Sequence, residues 1–173
     1  IREVLEDELG YSVTAKYKNY TRELIRAYRE GKDLHAPDIA LAPAGRQRSS
    51  VFKHVDGIRF LNHDGGCGGI RQDSAVLGKL LAAYANHPNV GGVTLLSLGC
   101  QHLQTGDLME DIKAANPAFD KPLYIFEQQR SQSEEQLIAE AIRKTFEGLI
   151  RIDEYERKPA SADKLCIGVK CGG

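Results

Sequence analysis

Residues 57–102, GIRFLNHDGGCGGIRQDSAVLGKLLAAYANHPNVGGVTLLSLGCQH, decide how the chain is read. An apolar run at 57–61 (GIRFL) enters a glycine-rich loop, a helical pattern follows, and a second apolar run comes at 92–98 (GVTLLSL). Short runs rich in Ile, Val, Leu and aromatics suit buried strands. Between them, residues 73–86 put Val76, Leu77, Leu80, Leu81 and Tyr84 on one helical face, with Asp73 as the expected N-cap and Pro88 and Asn89 as the stop.

The same alternation continues toward the C-terminus. Further strands are expected at 122–127 (PLYIFE) and 164–170 (KLCIGVK). One helix is expected from near Asp107, carrying Leu108, Met109, Ile112 and Ala115, and ending at Asn116 and Pro117. Another starts at Ser133, where Gln136 completes a capping box, and buries Leu137, Ile138, Ala141, Ile142, Phe146 and Leu149. Each crossover exceeds the dozen or so residues that a parallel connection needs. The expected fold is therefore α/β: three layers, with a mostly parallel, Rossmann-like sheet of at least four strands and helices on both faces.

Toward the N-terminus, helical patterns fall at 2–9 and 19–31, the second with Leu24, Ile25 and Tyr28 on one face and Gly31 as its stop. Residues 31–50 carry Pro37 and Pro43 and little periodicity, so they read as a loop. The expected organisation is a helical lead-in and connecting loop over 1–50, part of the same domain as an α/β region over 51–173. The chain opens at Ile1 inside a helical pattern and closes on Lys170-Cys171-Gly172-Gly173 straight after an apolar run, which reads as an α/β domain truncated at its C-terminal end.

Composition narrows the class. A chain of 173 residues and 19.1 kDa holds one domain with a real core. With 42% hydrophobic and 27% charged residues it is neither disordered nor fibrous. Lys and Arg number 23 against 24 Asp and Glu, with no long block of one sign, which argues against a nucleic-acid partner. Apolar runs such as Val93–Leu98 fall far short of the ~18 residues of a membrane span, so a soluble, cytoplasmic protein without a membrane partner is expected. Four cysteines are too sparse for a secreted disulfide framework, and reduced thiols are expected.

In open parallel sheets, ligands bind beyond the carboxyl ends of the strands, where this sequence concentrates its unusual residues. After the first expected strand, Gly65, Gly66, Gly68 and Gly69 bracket Cys67 and let the backbone approach a ligand; Arg71 adds a fork of donors. This is not a P-loop, since no Gly-Lys-Ser/Thr follows, and the dinucleotide-binding glycine spacing fails. Cys100, Gln101 and His102 follow the second strand, Glu127, Gln128 and Gln129 end the third, and Cys171 follows the fourth. Thiolate and imidazole are ligands that suit iron. Singly, each has a plainer reading: a ligand-free turn, inert buried thiols, or structural histidines at His63 and His102. Cys166 reads as a small buried hydrophobe, and His35, His54 and His87 as structural or exposed.

Several rare strings resemble one family: VDGIRFLNHDGGCGGIRQDSAVLGKLLAAYANHPNVGGVTLLSLGCQ at 55–101, FDKPLYIFEQQRSQSEEQLIAEAIRKTFEGL at 119–149, and IGVKCGG at the end. In order, they are similar to the altronate and galactarate dehydratases, as is the helical stretch over 1–31. The resemblance implies the central portion of a hydro-lyase that converts D-altronate to 2-dehydro-3-deoxy-D-gluconate and water in hexuronate catabolism. Galactarate or a related acid is the alternative substrate, and a non-catalytic scaffold the alternative role. It implies a divalent metal, iron(II) ahead of manganese, with an iron–sulfur cluster ranked lower. It also implies a sugar acid and the flanking domains as partners, with homo-oligomerisation left open.

Such a dehydration removes a weakly acidic proton beside a carboxylate, so it needs a base, an acid and stabilisation of the enediolate. His63 and His102 are the candidate catalytic groups, Cys67, Cys100 and Cys171 the candidate metal ligands. Gly65, Gly66, Gly68, Arg71, Gln101, Glu127 and Gln128 are the candidate substrate contacts. A thiol-dependent hydrolase or redox protein built on Cys67 is the remaining, weaker reading.

Overall fold

A computed structural model of the chain describes residues 1–35, 50–63 and 67–169. Its helices are α1 (Arg2–Glu8), α2 (Ala15–Arg29), α3 (Arg71–Asn86), α4 (Thr105–Ala115) and α5 (Glu134–Asp153). Its strands are β1 (Val93–Ser97) and β2 (Leu123–Glu127), with single 3-10 turns at Gln128–Arg130 and Ala162–Lys164.

The strands pair in parallel, Val93 against Leu123 through Ser97 against Glu127, with α4 in the crossover between them. Strand side chains alternate between faces. Val93 and Leu95 join Ala82 and Ala85 of α3 and Leu108 and Ile112 of α4 in one apolar cluster, in which Ile112 is only 1% exposed. On the other face Thr94 Oγ1 meets Thr145 Oγ1 of α5 at 2.8 Å. There Gly148 lets α5 approach β2, since a β-carbon on it would lie 2.9 Å from the Tyr124 ring.

The expected sheet of at least four strands is not formed: among the described residues only β1 and β2 pair. The runs at 92–98 and 122–127 become strands, whereas 57–61 does not. Ile58 and Phe60 instead pack onto a second cluster made of Leu5, Leu9, Phe52, Val55 and Leu149, which joins α1 to α5. The backbone nearby is tied by other means: Tyr11 Oη donates to the Val55 carbonyl at 3.0 Å, Val51 N to the Leu9 carbonyl, and His54 N to Asp153 Oδ1. Apolar alternation is satisfied there by helix contacts, with no ladder. In the run at 164–170, Leu165, Ile167 and Val169 are 71%, 73% and 92% exposed, so the alternating side chains have no buried face. Cys166, expected to be buried, is exposed.

Helix ends follow local chemistry. Ser133 Oγ accepts from Gln136 N at 3.2 Å, the cap expected for α5. Helix α3 begins two residues before the expected Asp73, with Ile70 at the N-cap and no side-chain cap. Asp73 falls in the first turn, where a negative charge complements the helix dipole. The stripe expected on α3 divides: Leu81 packs with Ala82 and Ala85 against α4, while Val76, Leu80 and Tyr84 are exposed. Lys121 closes the other end of α3 by donating to the carbonyls of Ala85 and His87. Among the described residues, no helix is long and apolar enough to cross a membrane.

Candidate active site at the carboxyl ends of the strands

Gly99 sets the local geometry where β1 ends. Its φ of 103° lies in the region that favours glycine, and it turns the chain so that Cys100, Gln101 and His102 follow directly. Gln101 braces this turn from within: its Oε1 accepts from Gly99 N at 2.8 Å and its Nε2 donates to Ser97 Oγ. Gln104 Nε2 donates to the Gln101 carbonyl. The amide expected to hold a substrate hydroxyl is thus engaged by the turn itself.

The turn faces the loop ahead of α3. Cys67 Sγ donates to the Cys100 carbonyl at 3.0 Å and stands 3.6 Å from Cys100 Sγ. The hydrogen bond with the Cys100 side chain, with smaller contributions from burial and from the Cys100 charge, pushes the Cys67 thiol above its ordinary range. His102 Nε2 donates to the Cys67 carbonyl at 3.0 Å, which leaves Nδ1 as the ring's second nitrogen. Cys67, Cys100 and Cys166 are all free thiols.

At the end of β2, Glu127 pairs with Arg130 at 2.9 Å, its carboxylate largely covered and the arginine exposed. Gln128 is exposed in the 3-10 turn that follows. A β-carbon on Gly99 would lie 3.0 Å from Glu127 Oε1, so the ends of the two strands form one surface. The structure therefore brings Cys67, Cys100, Gln101, His102 and Glu127 to one edge. His63 is exposed, and no hydrogen bond among the described residues joins it to them. Arg71 is exposed at the first turn of α3, and Gly68 has open space where a side chain would project. Gly65, Gly66 and Cys171 lie outside the described residues.

Sequence reasoning missed Ser97 and Arg130, and it placed Gln129 at the end of the third strand without giving it a role. Ser97 is buried under Gln101, Gln129 N donates to the Leu98 carbonyl, and Arg130 neutralises Glu127. The three-residue spacing of Glu127 and Arg130 was the one signal available for them.

The thiol pair suits part of a metal site. Two thiolates on one tetrahedral ion with bonds of ~2.3 Å lie about 3.8 Å apart. Cys67 and Cys100 approach that spacing, but among the described residues no group of three His, Cys, Asp or Glu forms that could hold an ion. The pair could supply two ligands, and soft thiolates favour iron or zinc over manganese.

The chain belongs to the family described as D-galactarate dehydratase/altronate hydrolase, second domain, whose model matches residues 12–153. It is similar to an altronate dehydratase of Bacillus subtilis (strain 168), 30% identical over 118 residues that make up 68% of this chain and 22% of that protein. An altronate dehydratase of Escherichia coli (strain K12) is 27% identical over 119 residues, 69% of this chain and 23% of that protein. The chain thus spans less than a quarter of the length of the curated relatives it matches. No solved structure matches it.

Proposed function

We propose that this chain is one domain, residues 1–173, of a cytoplasmic sugar-acid hydro-lyase that takes D-altronate to 2-dehydro-3-deoxy-D-gluconate and water. The observation that carries the reading is the match to the dehydratase second domain over 12–153, a region that includes the thiol and imidazole cluster at the strand ends. Both relatives named above are altronate dehydratases, which favours D-altronate over galactarate. Flanking domains of the longer enzyme complete the site.

The substrate carboxylate is met by Arg71 and the first-turn amides of α3, which no side chain caps, with Gly65, Gly66 and Gly68 allowing close approach. Gln128 reaches the sugar hydroxyls, while Gln101 and Glu127 shape the turn and strand end beside them. Cys67 and Cys100, joined by Cys171, hold the divalent ion, with iron(II) favoured by the donor type. When bound, the ion supplies positive charge that stabilises the enediolate oxygens. His63 and His102 share the proton work: one takes the proton from C2 and the other delivers a proton to the departing 3-hydroxyl. Water leaves, and the resulting enol tautomerises to the 2-oxo acid.

Supplying D-altronate and galactarate separately to the full-length enzyme and following the 2-oxo acid by NMR tests this. Formation of the product from D-altronate at the higher rate supports the proposal; preference for galactarate moves the substrate to the alternative, and turnover of neither removes the reading.

A further inference from the structure

The thiols of Cys67 and Cys100 come from positions 33 residues apart in sequence, yet their sulfurs stand 3.6 Å apart, reduced and exposed. A disulfide needs about 2.05 Å between sulfurs, so the pair lies roughly 1.5 Å from bonding distance. Cys67 is in a bend outside any helix or strand, and a side chain added at the neighbouring Gly68 would meet no atom within 4 Å. The hydrogen bond from His102 to the Cys67 carbonyl keeps the loop over Cys100.

We propose that Cys67 and Cys100 form a peroxide-sensitive dithiol, closing to a disulfide that ties the loop ahead of α3 to the carboxyl end of β1. One thiol, as thiolate, attacks a peroxide oxygen; the O–O bond breaks, a sulfenic acid forms and the first water leaves. The second thiol attacks that sulfur, the S–S bond forms and the second water leaves. Two electrons pass from the two sulfurs to hydrogen peroxide, which is the oxidant. The disulfide occupies both sulfurs, so the oxidised domain cannot use them on a metal ion. The inference is independent of the dehydratase reading, because it concerns sulfur chemistry that proceeds whatever the domain binds.

The test treats the full-length protein, freed of metal with a chelator, with hydrogen peroxide and maps its peptides without reduction. Cys67 and Cys100 are expected to lose titratable thiol together and appear in one cross-linked peptide that a dithiol reductant separates, while Cys166 stays free. In Cys100→Ser the cross-link is expected to vanish and Cys67 to stop at a sulfenic or higher oxidation state. Separate over-oxidation of the two sulfurs in the wild type, or preferential cross-linking through Cys166, would overturn the proposal.

Discussion

Gln129 packs so closely on Gly99 that a β-carbon there would sit 2.9 Å from Gln129 Oε1. Gly99 also holds a φ of 103°. Substitution Gly99→Ala therefore meets both backbone strain and a clash, at about 1–3 kcal/mol. Denaturant unfolding is expected to show that loss, and the full-length enzyme is expected to lose turnover because Cys100 and His102 are carried by the same turn.

Ile112 anchors the contact between α3, α4 and β1, and replacing it with alanine leaves a hole that the small residues Ala82 and Ala85 cannot fill. Ile112→Ala is expected to lower unfolding free energy by about 2–5 kcal/mol. Urea titration followed by circular dichroism reads this directly; an unchanged midpoint would mean the cluster is not the core described.

Acid is expected to weaken the N-terminal region. Hydrogen bonds from Lys18 and then Ser12 hold the Asp7 carboxyl below its ordinary value of 3.8. Because the folded state lowers this pKa, the contribution is present above the unfolded value and is lost as pH falls through the folded one. Lys18 is shifted upward by the same pair, so its share persists through neutral pH and disappears only above 10.5. Melting curves between pH 6 and pH 2 should therefore fall less steeply for Asp7→Asn than for wild type.

His102 is expected to affect chemistry more than folding, since its ring is exposed and makes one hydrogen bond to the Cys67 carbonyl. His102→Gln in the full-length enzyme should cut kcat roughly 10²–10⁴-fold. It should also alter the pH profile of kcat/KM, a change that a purely structural role would not produce.

The sequence reveals the helices and the two paired strands more readily than it reveals the sheet. Ser133 and Gln136 announce the start of α5 because a cap is a local interaction. Parallel pairing of β1 and β2 follows from the long crossover through α4. The segment at 57–61 misleads because Ile58 and Phe60 alternate as strand residues do, and periodicity cannot say whether the buried side faces a ladder or the helices α1 and α5. At the site, only the Cys100 string follows an observed strand; the glycine string around Cys67 follows 57–61, which forms no strand, and it is the loop ahead of α3 that brings Cys67 to within 3.6 Å of Cys100. The engagement of Gln101 with Ser97 and Gly99 is invisible in the sequence, because it depends on how one turn folds back on itself.

The most direct test of the account compares full-length wild type with a Cys67→Ser, Cys100→Ser double variant, both prepared without oxygen and shown folded by circular dichroism. Metal content and turnover of D-altronate are measured together. Wild type is expected to hold metal near one equivalent and form the 2-oxo acid, and the variant to lose both. A folded variant that keeps its metal and its rate would place the chemistry elsewhere and contradict the assignment of the site to this edge.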